Sequence, residues 1–447
     1  MPSRCVASVP HPVPVIHHSR SSNMNPTDLA LEGGKPVRTG HWPRFDKGDV
    51  DIDVRELEAV ERVLRSRLLF RYDTRPIEAT EVGRFEAALC EHFGVRHALA
   101  VSSGTAAIAL SLMAVGVRQG DEVLCSSFAF AADPSAVLLA GGTPVLVEAG
   151  PDLHMDALDL EARITPRTKA ILLVHQRGQA GPIEPVLEIA RKYDIHVVED
   201  AVPAMGATIG GRPLGTFGTF GAFSTQADKS LNTGEGGFLL TNDTAMFECA
   251  VLLSGAYESR VRKHCPWELT IREQTVPLFN FRMDEIRGAL GRVQLEKLPQ
   301  RVRTLRRNYR RVADFMESLP EVVLRKACAP EATLGHYVVF RLTESTPADA
   351  QWIADALCAE GVDARCFGPL GRPNSRSFWN WEFLFPGLTQ AQIRARLPAT
   401  SRMLDLTIDI PLSPSLNEGD LADLAQAVTK VLAVRRQRRG ACSMACA

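Results

Sequence analysis

Short, largely apolar runs recur through the middle of the chain, separated by amphipathic or turn-rich segments. They are HALAV (97–101), Glu122–Cys125, Pro144–Val147, Ala170–Val174, Ile195–Glu199, Phe220–Ser224 and Phe238–Thr241. Apolar runs this short, without strict polar alternation, predict strands buried on both faces of a mostly parallel sheet covered by helices. Helical spacing runs from Asp53 to Ser66 in VRELEAVERVLRS, and from Val82 to Phe93, ended by Gly94. An apolar helix follows Thr105, and Pro182 to Lys192 continues the alternation. Asp284 to Leu298 sets Ile286, Leu290, Val293 and Leu298 at helical spacing, and Pro299 predicts a break before a basic helix, Arg301 to Glu317. Beyond residue 320 a smaller α/β unit is expected, with strands at 322–326, 336–342 and 362–366 and helices at 349–360 and 419–434.

The expected organisation is therefore a disordered tail (1–28), a large α/β domain (29–300), a smaller C-terminal α/β domain (301–434) and a basic, frayed end (435–447). The tail is rich in Pro, His and Ser without the apolar core of a secretory signal, and Met24 stands as an alternative start. At 447 residues the chain has room for two or three domains. A net charge of −1 gives no reason to expect nucleic acid or a charged membrane as partner. No apolar run approaches the ~18–20 residues of a membrane span. Ten scattered cysteines without a CxxC pair are expected to be buried free thiols in a reducing cytoplasm, with no metal site.

Three places carry candidate chemistry. The loop between Ser224 and Gly237 holds Lys229 between two strands and ends in a glycine turn (Gly234, Glu235, Gly236, Gly237). Such a lysine is either a surface residue beside a hairpin or, when partly desolvated, a nucleophilic amine of the Schiff-base kind. The junction Ser102, Ser103, Gly104, Thr105 joins a strand to a helix N-terminus. It serves either as an ordinary cap, the commoner role of such residues, or as a phosphate site. Asp200 follows the strand HVVE, placed to face a ligand or to cap the next turn. On strand ends of one sheet, the three have a joint reading: phosphate site, pyridinium partner and imine-forming lysine of pyridoxal 5′-phosphate.

The chain resembles the sugar aminotransferase (DegT/StrS-type) branch of the fold-type I pyridoxal-phosphate enzymes. The resemblance lies in SSGTAAIAL (102–110), GGTPVLVE (141–148), ITPRTKAILLVH (164–175), VVEDA (197–201), FSTQADKSLNTGEGGFLLTND (223–243), NFRMDEIRGALGRVQLEKL (280–298) and IDIPLSPSLNEGDL (408–421), spanning about residues 29–433. It implies Lys229 as the Schiff-base lysine and Asp200 as the pyridinium partner. It also implies Gly104, Thr105 and Ala106 as the phosphate cradle, with Ser224 reaching the same phosphate. Phe130 would stack on the ring, and Asn280 would be lent by the other subunit of a homodimer with shared active sites.

Three positions depart from the family pattern. Pro203 replaces His or Gln, Arg177 replaces an aromatic residue after His175, and ARCFGPLGRP (364–373) replaces a His-Tyr pair. His175, Arg177 and Gln226 are the substrate-facing candidates, and Gln226 is similar to the residue found in members acting on cyclitols. The expected activity is transfer of an amino group from L-glutamate or L-glutamine to a keto-sugar, cyclitol or related ketone, in the cytoplasm. The alternatives are another pyridoxal-phosphate reaction on an amino acid, with Arg177 holding a carboxylate, and a non-catalytic regulatory member.

Overall fold

A computed structural model describes residues 29–45, 48, 51–372 and 374–445. The tail expected at 1–28 lies outside them. The strands are β1 (His97–Val101), β2 (Glu122–Ser126), β3 (Thr143–Val147), β4 (Thr168–Val174), β5 (His196–Asp200), β6 (Thr208–Ile209), β7 (Arg212–Pro213), β8 (Phe220–Ser224), β9 (Gly237–Thr241), β10 (Val322–Leu324), β11 (Tyr337–Leu342), β12 (Arg365–Cys366) and β13 (Ile408–Pro411).

Seven strands form one sheet in the order β1-β9-β8-β5-β4-β2-β3. Only β9 runs antiparallel to the others in that sheet. The continuous apolarity of these strands has a direct cause, because successive side chains enter different cores. On β4, Ala170, Leu172 and Val174 face the cluster under helices Gly104–Ala114 and Thr244–Ser254, while Ile171 and Leu173 face the one under helix Ile183–Tyr193. On β1, Leu99 and Val101 join the first cluster, and Ala98 and Ala100 pack toward helix Glu81–Phe93. A sheet covered on both faces has no polar side to show.

The C-terminal unit is an antiparallel sheet, β10-β11-β13-β12, packed with helices Pro347–Ala359 and Glu418–Ala445. Leu29 enters this second core, and the Ala30 and Val37 amides donate to the Glu360 carboxylate, so the first described residues pack on the C-terminal unit.

Three expectations need correction. Pro299 does not break a helix: one helix runs from Glu285 to Glu317 and carries the proline inside it. Leu298, Val302 and Leu305 bury into the sheet core before and after the proline, and Val312, Phe315 and Met316 bury into the second core. At about 1.5–3 kcal/mol per buried side chain, that outweighs the roughly 3 kcal/mol cost of an interior proline. Secondly, the helix beginning at Glu418 does not fray at 435 but continues to Ala445, with Arg435 donating to the Thr343 and Glu344 carbonyls. Lastly, the described cysteines are all free, but only Cys125 and Cys265 are buried, and Cys328 and Cys358 are exposed.

Candidate active site

Because β1, β2, β4, β5 and β8 run parallel, their C-terminal ends share one edge of the sheet, and the turn entering β9 joins them there. The residues following these strands line a cavity of about 390 Å³. They include Gly104, Thr105, Phe130, Asp133, Gln176, Arg177, Asp200, Ser224, Gln226, Lys229 and Glu235. From the C-terminal unit, His336, Tyr337 and Arg376 close it.

At the end of β1, Ser103 caps helix Gly104–Ala114, its hydroxyl accepting from the Ala106 N–H at 3.0 Å. The N–H groups of Gly104 and Thr105 have no protein acceptor among the described residues and stand at the positive end of the helix dipole. Glycine is required here by crowding: a Cβ on Gly104 would lie 2.7 Å from the Ser224 Cβ, and one on Gly237 2.6 Å from the Ser103 backbone. The cradle is thus two free donors with the Ser224 hydroxyl alongside, an anion site by construction. Ala106, expected as the third donor, already serves the cap.

Asp200 does both jobs open to it. Its Oδ1 accepts from the Val202 N–H at 2.9 Å, capping the next turn, while the carboxyl lines the cavity. Burial raises it from the ordinary carboxylate value to about 6, opposed by the Val202 amide, a hydrogen bond with Asp133 and the Lys229 charge. Beside it lies Asp133, fully buried and pushed well above the usual range by burial and by the Asp200 charge. Of the two, Asp133 therefore holds a proton more tightly. Lys229 Nζ stands 2.8 Å from Asp228 Oδ1, and the Lys229 N–H donates to the Gln226 carbonyl.

Behind this layer, Glu199 organises the end of β5. Its buried carboxylate accepts from the amides of Gly215, Phe217 and Gly218 and from His175 Nε2 at 2.9 Å. His175 Nδ1 accepts from the Gly181 amide, which fixes the neutral Nε2–H tautomer. Both ring nitrogens are committed and His175 is absent from the lining, so it is not brought to the substrate space as expected. Arg177 does reach the lining, but its Nη2 lies 2.7 Å from the buried Asp409, and its guanidinium sits 4.3 Å from the Tyr337 ring centroid and 4.7 Å from that of Phe367. A left-handed backbone (φ 55°) aims the side chain at this clamp between the two units. The Arg177 charge is therefore matched by Asp409, although its Nε and Nη2 make no hydrogen bond among the described residues, and of the two departures behind another amino-acid reaction Pro203 remains at the cavity.

Phe130 is half exposed with its ring at the cavity, and the Arg376 guanidinium lies 5.6 Å from its centroid. Asn280 is exposed and absent from its own chain's cavity. Sequence reasoning missed Asp133, Glu199, Tyr337, His336 and Arg376. His336 and Tyr337 left a trace, a polar pair opening an apolar strand, whereas Arg376 sits in an irregular segment without any pattern.

Comparison with known proteins adds three findings. The model of the DegT/DnrJ/EryC1/StrS aminotransferase family matches residues 50–429. The chain is 36% identical to a GDP-perosamine synthase of Caulobacter vibrioides over 295 residues (64% of this chain, 76% of that one), and 30% identical to an L-glutamine:2-deoxy-scyllo-inosose aminotransferase of Micromonospora echinospora over 429 residues (93% and 100%). Among solved structures, DesI in the presence of its TDP-sugar product is similar with a TM-score of 0.74 at 26% identity, over 94% of this chain and 99% of that one.

Proposed function

The chain belongs to the DegT/DnrJ/EryC1/StrS aminotransferase family, and from that premise we propose that it moves an amino group from L-glutamine or L-glutamate to the ketone of a cyclitol or sugar. Its cofactor is pyridoxal 5′-phosphate. The observation that carries the proposal is the convergence of two unfilled helix-start N–H groups, a buried carboxyl and a lysine on one cavity. That donor set fits a phosphate, a pyridinium and an aldehyde.

When bound, the cofactor supplies an aldehyde carbon for the amino group and a ring that draws electrons from the substrate α-carbon. Gly104, Thr105 and Ser224 would hold the phosphate, and Asp200, as carboxylate, would keep the ring nitrogen protonated. Asp133 is placed to donate its retained proton to Asp200. Phe130 would present its face to the ring. Lys229 Nζ would take the proton from the donor α-carbon and pass it to the cofactor carbon that has received the amino group, and would run the same transfer in reverse onto the acceptor carbon.

A homodimer in the cytoplasm is part of the proposal, with Asn280 completing the partner's phosphate site. Exposed Leu68, Leu69 and Phe70, together with exposed Leu278 and Phe279 just before Asn280, support a covered face there.

A cyclitol ketone is the first choice of acceptor. The relatives matched over nine-tenths or more of both chains are named for 2-deoxy-scyllo-inosose, and Gln226 lines the cavity. A nucleotide-linked keto-sugar is the second, favoured by the likeness to GDP-perosamine synthase. Incubation of the holoenzyme with L-glutamine and either 2-deoxy-scyllo-inosose or a nucleotide-linked 4-keto-sugar, read by mass spectrometry, separates them. An amino-cyclitol product is expected. Amination of neither ketone overturns the proposal.

A further inference from the structure

The lining holds a second arginine, and its surroundings differ from those of Arg177. Arg177, Arg365 and Arg376 all surround the buried Asp409. Arg177 pairs with Asp409 at 2.7 Å and Arg365 with Asp363 at 2.9 Å. Arg376, partly buried at the cavity wall, makes no ion pair or side-chain hydrogen bond among the described residues. Three guanidinium groups thus share two carboxylates, and one positive charge is left at the cavity wall. A guanidinium without a protein partner on a cavity wall is available to a ligand of opposite charge.

The segment bearing Arg376 is pinned. The Ala129 N–H donates to the Arg376 carbonyl at 3.2 Å and the Ala131 N–H to the Ser375 carbonyl at 2.8 Å, on either side of Phe130 in sequence. Phe128 and Ser377 pair as a β-bridge. From this pinned backbone the Arg376 guanidinium lies 5.6 Å from the centroid of Phe130, the aromatic residue of the same cavity. A planar guanidinium placed there matches a carboxylate bidentately.

We propose that Arg376 receives the α-carboxylate of the amino donor and so selects an α-amino acid for the first half of the reaction. The inference rests on the aminotransferase reading above. An uncharged cyclitol gives Arg376 nothing to pair with, whereas either amino donor always carries this carboxylate.

The test titrates cofactor-loaded wild type, R376K and R376A with L-glutamine and with L-glutaminol, which keeps the amine and amide but lacks the carboxylate. The visible cofactor band reports the half-reaction, and the same band before addition reports that each variant folds and loads. R376A is expected to load normally and to need about 100-fold more L-glutamine for half-maximal response, with R376K between. Wild type should prefer L-glutamine to L-glutaminol by a similar factor, and R376A should lose the preference. R376A responding to L-glutamine like wild type overturns the inference alone. So does R376A with a normal donor response but a weakened response of the aminated holoenzyme to the ketone, because the arginine then serves the acceptor. A wild-type band unmoved by any amino donor overturns this inference together with the reading beneath it.

Discussion

Two carboxyls decide the electrostatics of the cofactor pocket, and only one was visible as a candidate in the chain. Asp200 follows a buried strand, a place where chemistry is expected, and it does reach the cavity. Asp133 lies within an ordinary-looking helical run, and its importance comes from which strand end it folds against. The Asp200 shift has a consequence for the apoprotein. Its folded value, about 6, lies above the ordinary carboxylate value of 3.8, so the folded state binds the proton more tightly. Its stabilising contribution is therefore complete below that lower value and is lost as pH rises to about 6. D200N abolishes the titration. Urea melts of apoprotein should show wild type losing stability relative to D200N between about pH 4 and pH 6, with a constant difference above. A difference that grows in favour of wild type over that window would contradict the assigned direction. His175 and Arg177 show the opposite limit of sequence reading. Both reach the expected end of the sheet, but Glu199, the Gly181 amide and Asp409 claim them, and partners 24 or 232 residues away leave no local pattern.

Among the elements, the core strands were legible because burial on both faces writes itself as continuous apolarity. Strand β13 was not, since IDIP is four residues with a buried aspartate that only its tertiary partner explains. Helix Glu285–Glu317 shows burial overriding a local rule, and it bears on the site. Arg301, two residues past the proline, donates to the Ser230 carbonyl next to Lys229, and Gln294 accepts from the Asn232 N–H. The helix thus braces the lysine loop from behind. Pro299 itself is exposed, so P299A should restore a helical N–H without disturbing packing. It should raise stability by about 2 kcal/mol after allowance for the more flexible unfolded chain. Chemical denaturation checks this, and a loss of stability would mean the proline is needed for the path of the helix.

For the molecule as a whole, the order of layers was readable from alternating strands and helices. The joining of the two units was not. The expected boundary near residue 300 falls inside a continuous helix, and the C-terminal unit supplies His336, Tyr337 and Arg376 to a cavity otherwise built from strand ends. If Asn280 completes the site of a second subunit, two inactive variants should rescue one another. A 1:1 mixture of K229A and N280A, dissociated and reassembled, should recover about a quarter of wild-type sites, since half of the dimers would carry one intact site each. No recovery would mean that Asn280 serves its own chain or none.

The proposed transamination turns on Lys229 carrying the cofactor in a cavity that an amino donor can enter. The most direct measurement is the visible spectrum of the purified protein with pyridoxal phosphate, before and after L-glutamine or L-glutamate, beside K229A. Wild type should show the band of lysine-bound cofactor and lose it to that of the aminated cofactor on adding donor, while K229A shows no such lysine-bound band. The same band in K229A, or its absence from wild type, would contradict the assignment of Lys229 and the site built around it.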